Sequence, residues 1–303
     1  MPDAFKLPFG DWVEAGVDWI VANAAAPFAA VRSALVFLYE LLNTALTVPP
    51  WWLIILIVAL LALLARGPLF GVGAGIGLLL IVGLDQWVNA MDTLALVLVA
   101  AIIAVALAVP IGILAATSRS VSLVTKPVMD FLQTMPAFVY LIPALLLFRI
   151  GVAPGIVATI IFSLPPGVRL TELGIRGVDK EVVEAGSAFG ASRFRILRQI
   201  QLPLAMPSIM AGINQVIMLS LSMVVIAGLV GAGGLGEQVI AALQRLDTAL
   251  GFEAGLSVVI LAILLDRFTG SFGLRTGLYT WGREKLARRR ASRPTTTQTV
   301  EAA

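Results

Sequence analysis

The chain has 303 residues and contains neither cysteine nor histidine. That excludes disulfides, thiolate nucleophiles, Cys or His metal ligands and histidine general bases. Charge is scarce as well. Asp, Glu, Lys and Arg make up 13% of the residues, where a soluble domain carries roughly one quarter. No G-x4-G-K-[ST] run occurs, so this chain brings no phosphate-cradling ATPase loop of its own. The net charge of +3 is small, and most basic residues sit in a few loops and the C-terminal tail. That pattern reports membrane topology rather than nucleic-acid binding. No basic n-region with a cleavage site opens the chain, so no cleaved signal peptide is expected.

What is present is apolar sequence. Hydrophobic residues make up 59% of the chain, and stretches long enough to cross a hydrocarbon layer recur. Spans are expected at residues 51–65, 68–84, 93–117, 130–150, 154–170, 204–230 and 253–271. Pro136, Pro143, Pro165 and Pro166 predict kinks within them. Gly71, Gly73, Gly75 and Gly77 give overlapping small-xxx-small spacing, which predicts close helix packing. In residues 1–48, Asp11, Glu14 and Asp18 share one helical face while Trp12, Trp19 and Ile20 form an apolar one. Phe28 to Val48 reads as an amphipathic helix on the membrane surface, with an extra span as the alternative. Pro49-Pro50 ends it, and Trp51-Trp52 suits an interfacial anchor.

The longest polar interruption is Glu184 to Pro203. Asp179 is placed to cap a short helix whose Glu181 and Glu184 suit its positive N-terminus. Gly190 predicts a turn that a residue with a Cβ would resist. Ser192 is placed to cap a second helix, with Phe194, Leu197 and Ile200 roughly on one face among Arg193, Arg195 and Arg198. Pro203 suits the first turn of the following helix. With this loop inside, the inner side takes all of the 21 Lys and Arg except Lys6, Arg32, Arg149 and Arg245. The positive-inside bias then predicts an extracytoplasmic N-terminus and a cytoplasmic C-terminus.

Gly231-Ala232-Gly233-Gly234-Leu235-Gly236 formally matches G-x-G-x-x-G. A dinucleotide site needs a strand before it and a βαβ unit around it, and here a long apolar helix precedes it. Gly231, Gly233, Gly234 and Gly236 therefore predict a sharp turn at the outer mouth. Spans 68–84, 93–117 and 204–230 have no ionisable residue in their interiors, which argues against an ion-coupled carrier. The polar groups able to line a path are Gln133, Thr134, Tyr140, Asn214, Gln215, Ser220 and Ser222. Asn214, Met218 and Ser222 share a helical face, and interhelical hydrogen bonding is the competing reading.

The loop spacing resembles the EAA loop of ABC importer permeases, E-A-A-x3-G-x9-I-x-L-P. Glu184, Ala185, Gly190, Ile200, Leu202 and Pro203 match it, and Gly186 stands where that family usually has alanine. Further runs resemble the glycine betaine/proline permease subfamily over about residues 85 to 271. They are Gln133 to Tyr140, Leu202 to Pro207 with Gly212 to Gln215, Gly233 to Gly236, Arg245 to Asp247, and Leu264 to Arg267. Arg149 departs from the pattern, where relatives tend to have glycine.

The resemblance implies an all-α integral membrane protein, an ABC type I importer (MetI-like) permease core with additional N-terminal helices. Residues 1–48 would form an extracytoplasmic amphipathic tail and 49–92 additional transmembrane helices. Residues 93–271 would be the permease domain with its cytoplasmic coupling loop at 179–203, and 272–303 a cytoplasmic tail; Ala287 to Ala303, basic and then Thr-rich, are expected to be disordered. It further implies a non-enzymatic subunit of the bacterial inner membrane carrying glycine betaine, proline or related quaternary ammonium osmolytes. Choline, carnitine or methionine are alternative solutes, and a scaffold without transport is a different class of reading. The implied partners are a second permease copy, an extracytoplasmic substrate-binding protein and ABC ATPase subunits, which would hold the ATP and Mg. The lipid bilayer surrounds the whole.

Overall fold

The computed structural model describes residues 8–273. The basic tail and the first residues of the chain lie outside that range. All described regular structure is helical.

Two helices precede the first expected span, α1 (Phe9–Asn23) and α2 (Ala25–Thr47). An apolar hairpin follows, α3 (Trp51–Arg66) and α4 (Pro68–Gly83). Gly67 makes its turn at φ 96°, and Pro68 opens α4 where its missing N–H costs nothing. The long α5 (Trp87–Thr117) starts six residues before the span read from the sequence, so Asp92 falls inside it. Next come α6 (Arg119–Thr134), α7 (Ala137–Phe148) and α8 (Val152–Arg176). The polar loop holds α9 (Lys180–Ala188) and α10 (Arg193–Ile196), and α11 (Leu202–Ala227), α12 (Gly234–Arg245) and α13 (Thr248–Gly273) complete the chain.

The expected single span at 130–150 is corrected. Residues 119–148 form two helices that meet at 101°. The break is at Met135, which is extended with ψ 133°, ahead of Pro136. The proline ring excludes the helical region for the residue before it, so α6 stops there.

The centre of the molecule is α5, α8 and α11. Ala100, Ala104, Ala108 and Gly112 recur every fourth residue on α5, and all four are buried. Their flatness lets α8 approach: a Cβ on Gly112 would stand 2.6 Å from the Thr171 Cβ. Helices in lipid gain nothing from hiding apolar surface that lipid already solvates, so close packing of small residues supplies the association. Leu96, Ile156, Leu221 and Val224 fill the space between the three. Against this core, α13 packs on α11 and on α3 and α4, with Leu261 and Leu264 buried beside Ile54, Ala74 and Ile81.

Helix α2 is tied at both ends to the same end of the core. Phe28 meets Phe148, the last residue of α7, edge to face at 5.4 Å. Asn43 Nδ2 donates to Asp92 Oδ1 at 2.7 Å in the second turn of α5, and to the Tyr39 hydroxyl at 2.8 Å. Both contacts lie at the end of the bundle opposite the 184–203 loop. By length and composition α2 is also one of five described helices able to cross a membrane, and Leu35 is its one buried residue.

Candidate functional site

Asp179 begins the polar loop as the sequence chemistry dictates. Its Oδ1 accepts the Glu181 N–H at 3.0 Å and caps α9. The helix ends in a paired closure. The Ala191 N–H reaches the Gly186 carbonyl at 3.2 Å, and the Gly190 N–H reaches Ser187 at 2.9 Å. Gly190 sits at φ 76°, the left-handed conformation this closure needs. Ser192 Oγ then accepts the Arg195 N–H at 3.4 Å and starts α10.

Two expectations for the loop need correction. The second short helix is not separate from the next span. Residues 193–201 run into α11 through a π turn over Leu197–Gln201, closed by the Leu202 N–H on the Leu197 carbonyl. Pro203 has no N–H for an α bond, and its ring would press on residue 199 in a regular helix. The wider turn relieves both. The face of the second helix is also different: Ile196 is buried, whereas Phe194 is 70% exposed.

Glu184 and Ala185 are exposed, while Gly186 faces Ile196 and Ile200. A Cβ on Gly186 would come within 2.6 Å of Ile200 Cδ1. Glycine here lets α9 fold down on the start of the α10–α11 rod. Pro203 is exposed and Leu202 half-buried at the head of α11. Phe189 at the tip is 91% exposed. Phe189 and Phe194 are thus both largely exposed aromatics of the loop; the sequence pattern puts Phe194 on the apolar face and does not single out Phe189.

Directly above the loop, at the end of α8, lies a brace that the sequence did not reveal. The Glu172 side chain is 6% exposed and accepts the Ser122 hydroxyl at 2.7 Å. Arg176 Nε pairs with it at 2.9 Å, and Lys126 Nζ stands at 3.8 Å. Arg176 also donates to the Ala115 carbonyl at 2.8 Å. A neighbouring pair, Arg169 with Asp130, joins α8 to α6 again. The last turns of α5, the start of α6 and the end of α8 are thus joined three residues before the cap of α9.

The expected path residues divide. Asn214 points to α13, donating to Asp266 Oδ1 at 3.1 Å and accepting from the Thr269 hydroxyl. This is the interhelical hydrogen-bond reading of Asn214. Gln215 and Ser222 are exposed and Met218 half-buried, so the open stripe of α11 is Gln215–Met218–Ser222. Gln133 and Thr134 are exposed at the end of α6, where Thr134 bonds its own helix at Phe131. Tyr140 is buried, and its hydroxyl donates to the Leu132 carbonyl across the α6–α7 bend.

At the opposite end, Gly231, Gly233 and Gly234 all have φ between 70° and 78°. Gly234 and Gly236 are buried. A Cβ on Gly236 would meet the Val224 carbonyl at 2.4 Å, so the turn folds flat onto α11. In the first turn of α12 the Leu235 N–H is received by Thr93 Oγ1 on α5 at 2.8 Å. Arg149 occupies φ 62° at the end of α7, a conformation glycine adopts freely.

A polytopic α-helical membrane protein with this loop between core spans is a permease subunit. Residues 108–276 match the family model described as "Binding-protein-dependent transport system inner membrane component". The chain belongs to that family. It is 46% identical over 267 residues to the glycine betaine transport system permease protein OpuAB of Bacillus subtilis, covering 87% of this chain and 94% of that one. It is 44% identical over 284 residues to the glycine betaine/carnitine transport permease protein GbuB of Listeria monocytogenes, covering 90% and 98%. The glycine betaine/proline betaine permease protein ProW of Escherichia coli is 44% identical over 267 residues, covering 88% and 75%. Among solved structures, the MetNI methionine ABC transporter matches with a TM-score of 0.55 at 21% identity, covering 61% of this chain and 93% of that one. The core therefore has the MetI-like importer permease fold. The chain is a multi-pass inner-membrane transporter subunit.

Proposed function

We propose that this chain is the membrane-spanning subunit of an ATP-driven importer for glycine betaine, proline or related quaternary ammonium osmolytes. The observation that carries this reading is near-full-length similarity to OpuAB, whose name specifies glycine betaine. Carnitine appears in the name of GbuB and is the second solute in the same chemical class.

The mechanism is alternating access without covalent chemistry on this chain. Separate ATPase subunits bind ATP and Mg, close, and push on α9. The apolar tip at Phe189 and Phe194 offers the docking contact, and exposed Ala185 lets the partner approach closely. Two copies of the chain face each other across the path. The exposed stripe Gln215–Met218–Ser222 supports this, because polar side chains on a spanning helix prefer a protein or water-lined face to lipid. An extracytoplasmic binding protein delivers the solute.

The test is uptake by proteoliposomes containing this chain, its ATPase and its binding protein. Radiolabelled glycine betaine is expected to accumulate only with ATP inside and solute-loaded binding protein outside. Accumulation driven by a proton or sodium gradient without ATP would overturn the reading.

The N-terminus is extracytoplasmic and the C-terminus cytoplasmic in this reading. The Lys and Arg distribution supports it. Because the chain has no cysteine, introduced thiols report cleanly. Ala4→Cys is expected to react with an impermeant maleimide in intact cells, and Ser192→Cys only after the membrane is opened. The reverse labelling pattern rejects this topology.

A further inference from the structure

A cleft of about 490 Å³ opens between the α3–α4 hairpin and α13. Its mouth holds two guanidinium groups, Arg66 at the end of α3 and Arg267 in the last turns of α13. Its walls are apolar, with Gly73 and Gly77 on one side and Ile260 and Ile263 on the other. Among the described residues neither arginine has an ion-pair partner. The adjacent Asp266 is engaged by Asn214 on α11.

We propose that this cleft seats one anionic phospholipid, its phosphate between Arg66 and Arg267 and one acyl chain in the groove. Three observations select this occupant. First, the charge is in the right place. Arg66 ends α3 and Arg267 lies in the last two turns of α13, both on the side that the Lys and Arg distribution makes cytoplasmic, and guanidinium groups bind phosphate in two-point fashion. Second, the depth suits a chain. From Leu69 to Gly77 the α4 wall runs about 12 Å at 1.5 Å per residue, most of one leaflet's hydrocarbon half of about 15 Å. Third, the groove stays open because α4 has glycine there. A Cβ on Gly73 would meet nothing within 4 Å, whereas one on Gly77 would touch Ile260 Cγ2 at 3.0 Å. The residues following α13 are a poor alternative occupant. From Arg275 to Arg293 they are strongly basic and would repel both guanidinium groups.

The seat would fasten the added hairpin to α13 through a lipid, where direct contact is interrupted. It requires only that the chain is embedded in a bilayer, so its test is independent of the solute carried.

The experiment is native mass spectrometry of the purified full-length chain, titrated with dioleoyl phosphatidylglycerol, dioleoyl phosphatidylcholine or glycerol phosphate. One phosphatidylglycerol per chain is expected to survive, bound about tenfold more tightly than phosphatidylcholine. The Arg66→Gln, Arg267→Gln double variant is expected to bring the two lipids level. Gly73→Leu fills the groove without touching the charges and is expected to reduce retention of both. Equal retention of the two lipids by the parent chain, or no effect of either variant, overturns the proposal. Competition by glycerol phosphate at lipid concentrations would assign the site to a soluble anion and overturns it too. So would retention that rises when residues 274–303 are deleted, or a dimer that Gly73→Leu splits without loss of lipid.

Discussion

A transporter carrying Gly190→Val is expected to assemble in the membrane and import solute roughly thirtyfold more slowly, a loss of about 2 kcal/mol in the docked conformation. The reason is backbone geometry alone. Gly190 sits at φ 76°, and a Cβ there would meet nothing within 4 Å. No clash is involved, so the whole effect comes from forcing a β-branched residue into the left-handed region. The two closing hydrogen bonds, from Ala191 to Gly186 and from Gly190 to Ser187, exist only in that conformation. Losing them re-aims Phe189 and Phe194, and with them the face proposed to meet the ATPase. A graded series separates this account from simple bulk. Asn tolerates the left-handed region better than Ala, and Ala better than Val. Uptake is therefore expected to fall in the order Gly, Asn, Ala, Val, although Asn is larger than Ala. The measurement is initial uptake beside ATP hydrolysis in proteoliposomes. An order that follows side-chain volume, or parent-level uptake by Gly190→Val, would remove Gly190 from the coupling element.

The parts of this loop that were legible in the sequence are those decided locally. Asp179 and Ser192 accept N–H groups two and three residues on, and Gly190 ends a helix whose length the flanking caps already set. Such choices depend on a few neighbouring residues, so residue type and spacing carry them. The π turn was hidden because its cause is a conflict. The sequence favours helix continuously from Arg193 onward, yet Pro203 forbids regular bonding, and only the fold reveals that a wider turn resolves it. The bend at Met135 is a similar case. Pro136 marked a kink, but whether that kink is slight or 101° depends on what the Tyr140 hydroxyl binds across the corner.

Long-range polar pairs left no trace in the sequence. Asn43 meets Asp92 across 49 positions, and Asn214 meets Asp266 across 52. Helical periodicity placed Asn214 on a face with Met218 and Ser222, but a residue's neighbours on its own helix do not fix which partner helix it turns to. The α11–α13 packing turns Asn214 inward and leaves Gln215 on the open stripe. Arg149 is the reverse case. The sequence flagged it as a departure, and its φ of 62° gives the physical reason glycine suits that position.

Glu172→Ala is expected to be the most damaging single change outside the loop, costing about 2 kcal/mol of stability, because it removes the buried acceptor of the Ser122 hydroxyl and of Arg176 and leaves a gap in its place. Glu172 is the common acceptor for Ser122, Arg176 and Lys126, and its side chain is 6% exposed. Without it Arg176 keeps only the Ala115 carbonyl, and the Ser122 hydroxyl loses its acceptor. Arg176 is also the last residue of α8, three positions before Asp179 caps α9. In the proposed mechanism the brace fixes the point from which a push on α9 would enter the core. Loosening it is expected to leave stimulated ATP hydrolysis in place while uptake falls, and to lower the thermal midpoint of the purified complex. Glu172→Gln retains an acceptor for Ser122 and the shape of the site, so its loss of stability is expected to be smaller. A double variant, Glu172→Leu with Arg176→Met, discriminates the two roles. Replacing both charges with apolar groups of similar size is commonly near neutral for stability, so the midpoint is expected to recover. Uptake is expected to stay low, because the tie from Arg176 to Ala115 is gone. If the double variant recovers uptake along with its midpoint, the brace is only packing and transmits nothing. If Glu172→Ala melts with the parent, the Glu172 brace does not hold α8 to α6 at all.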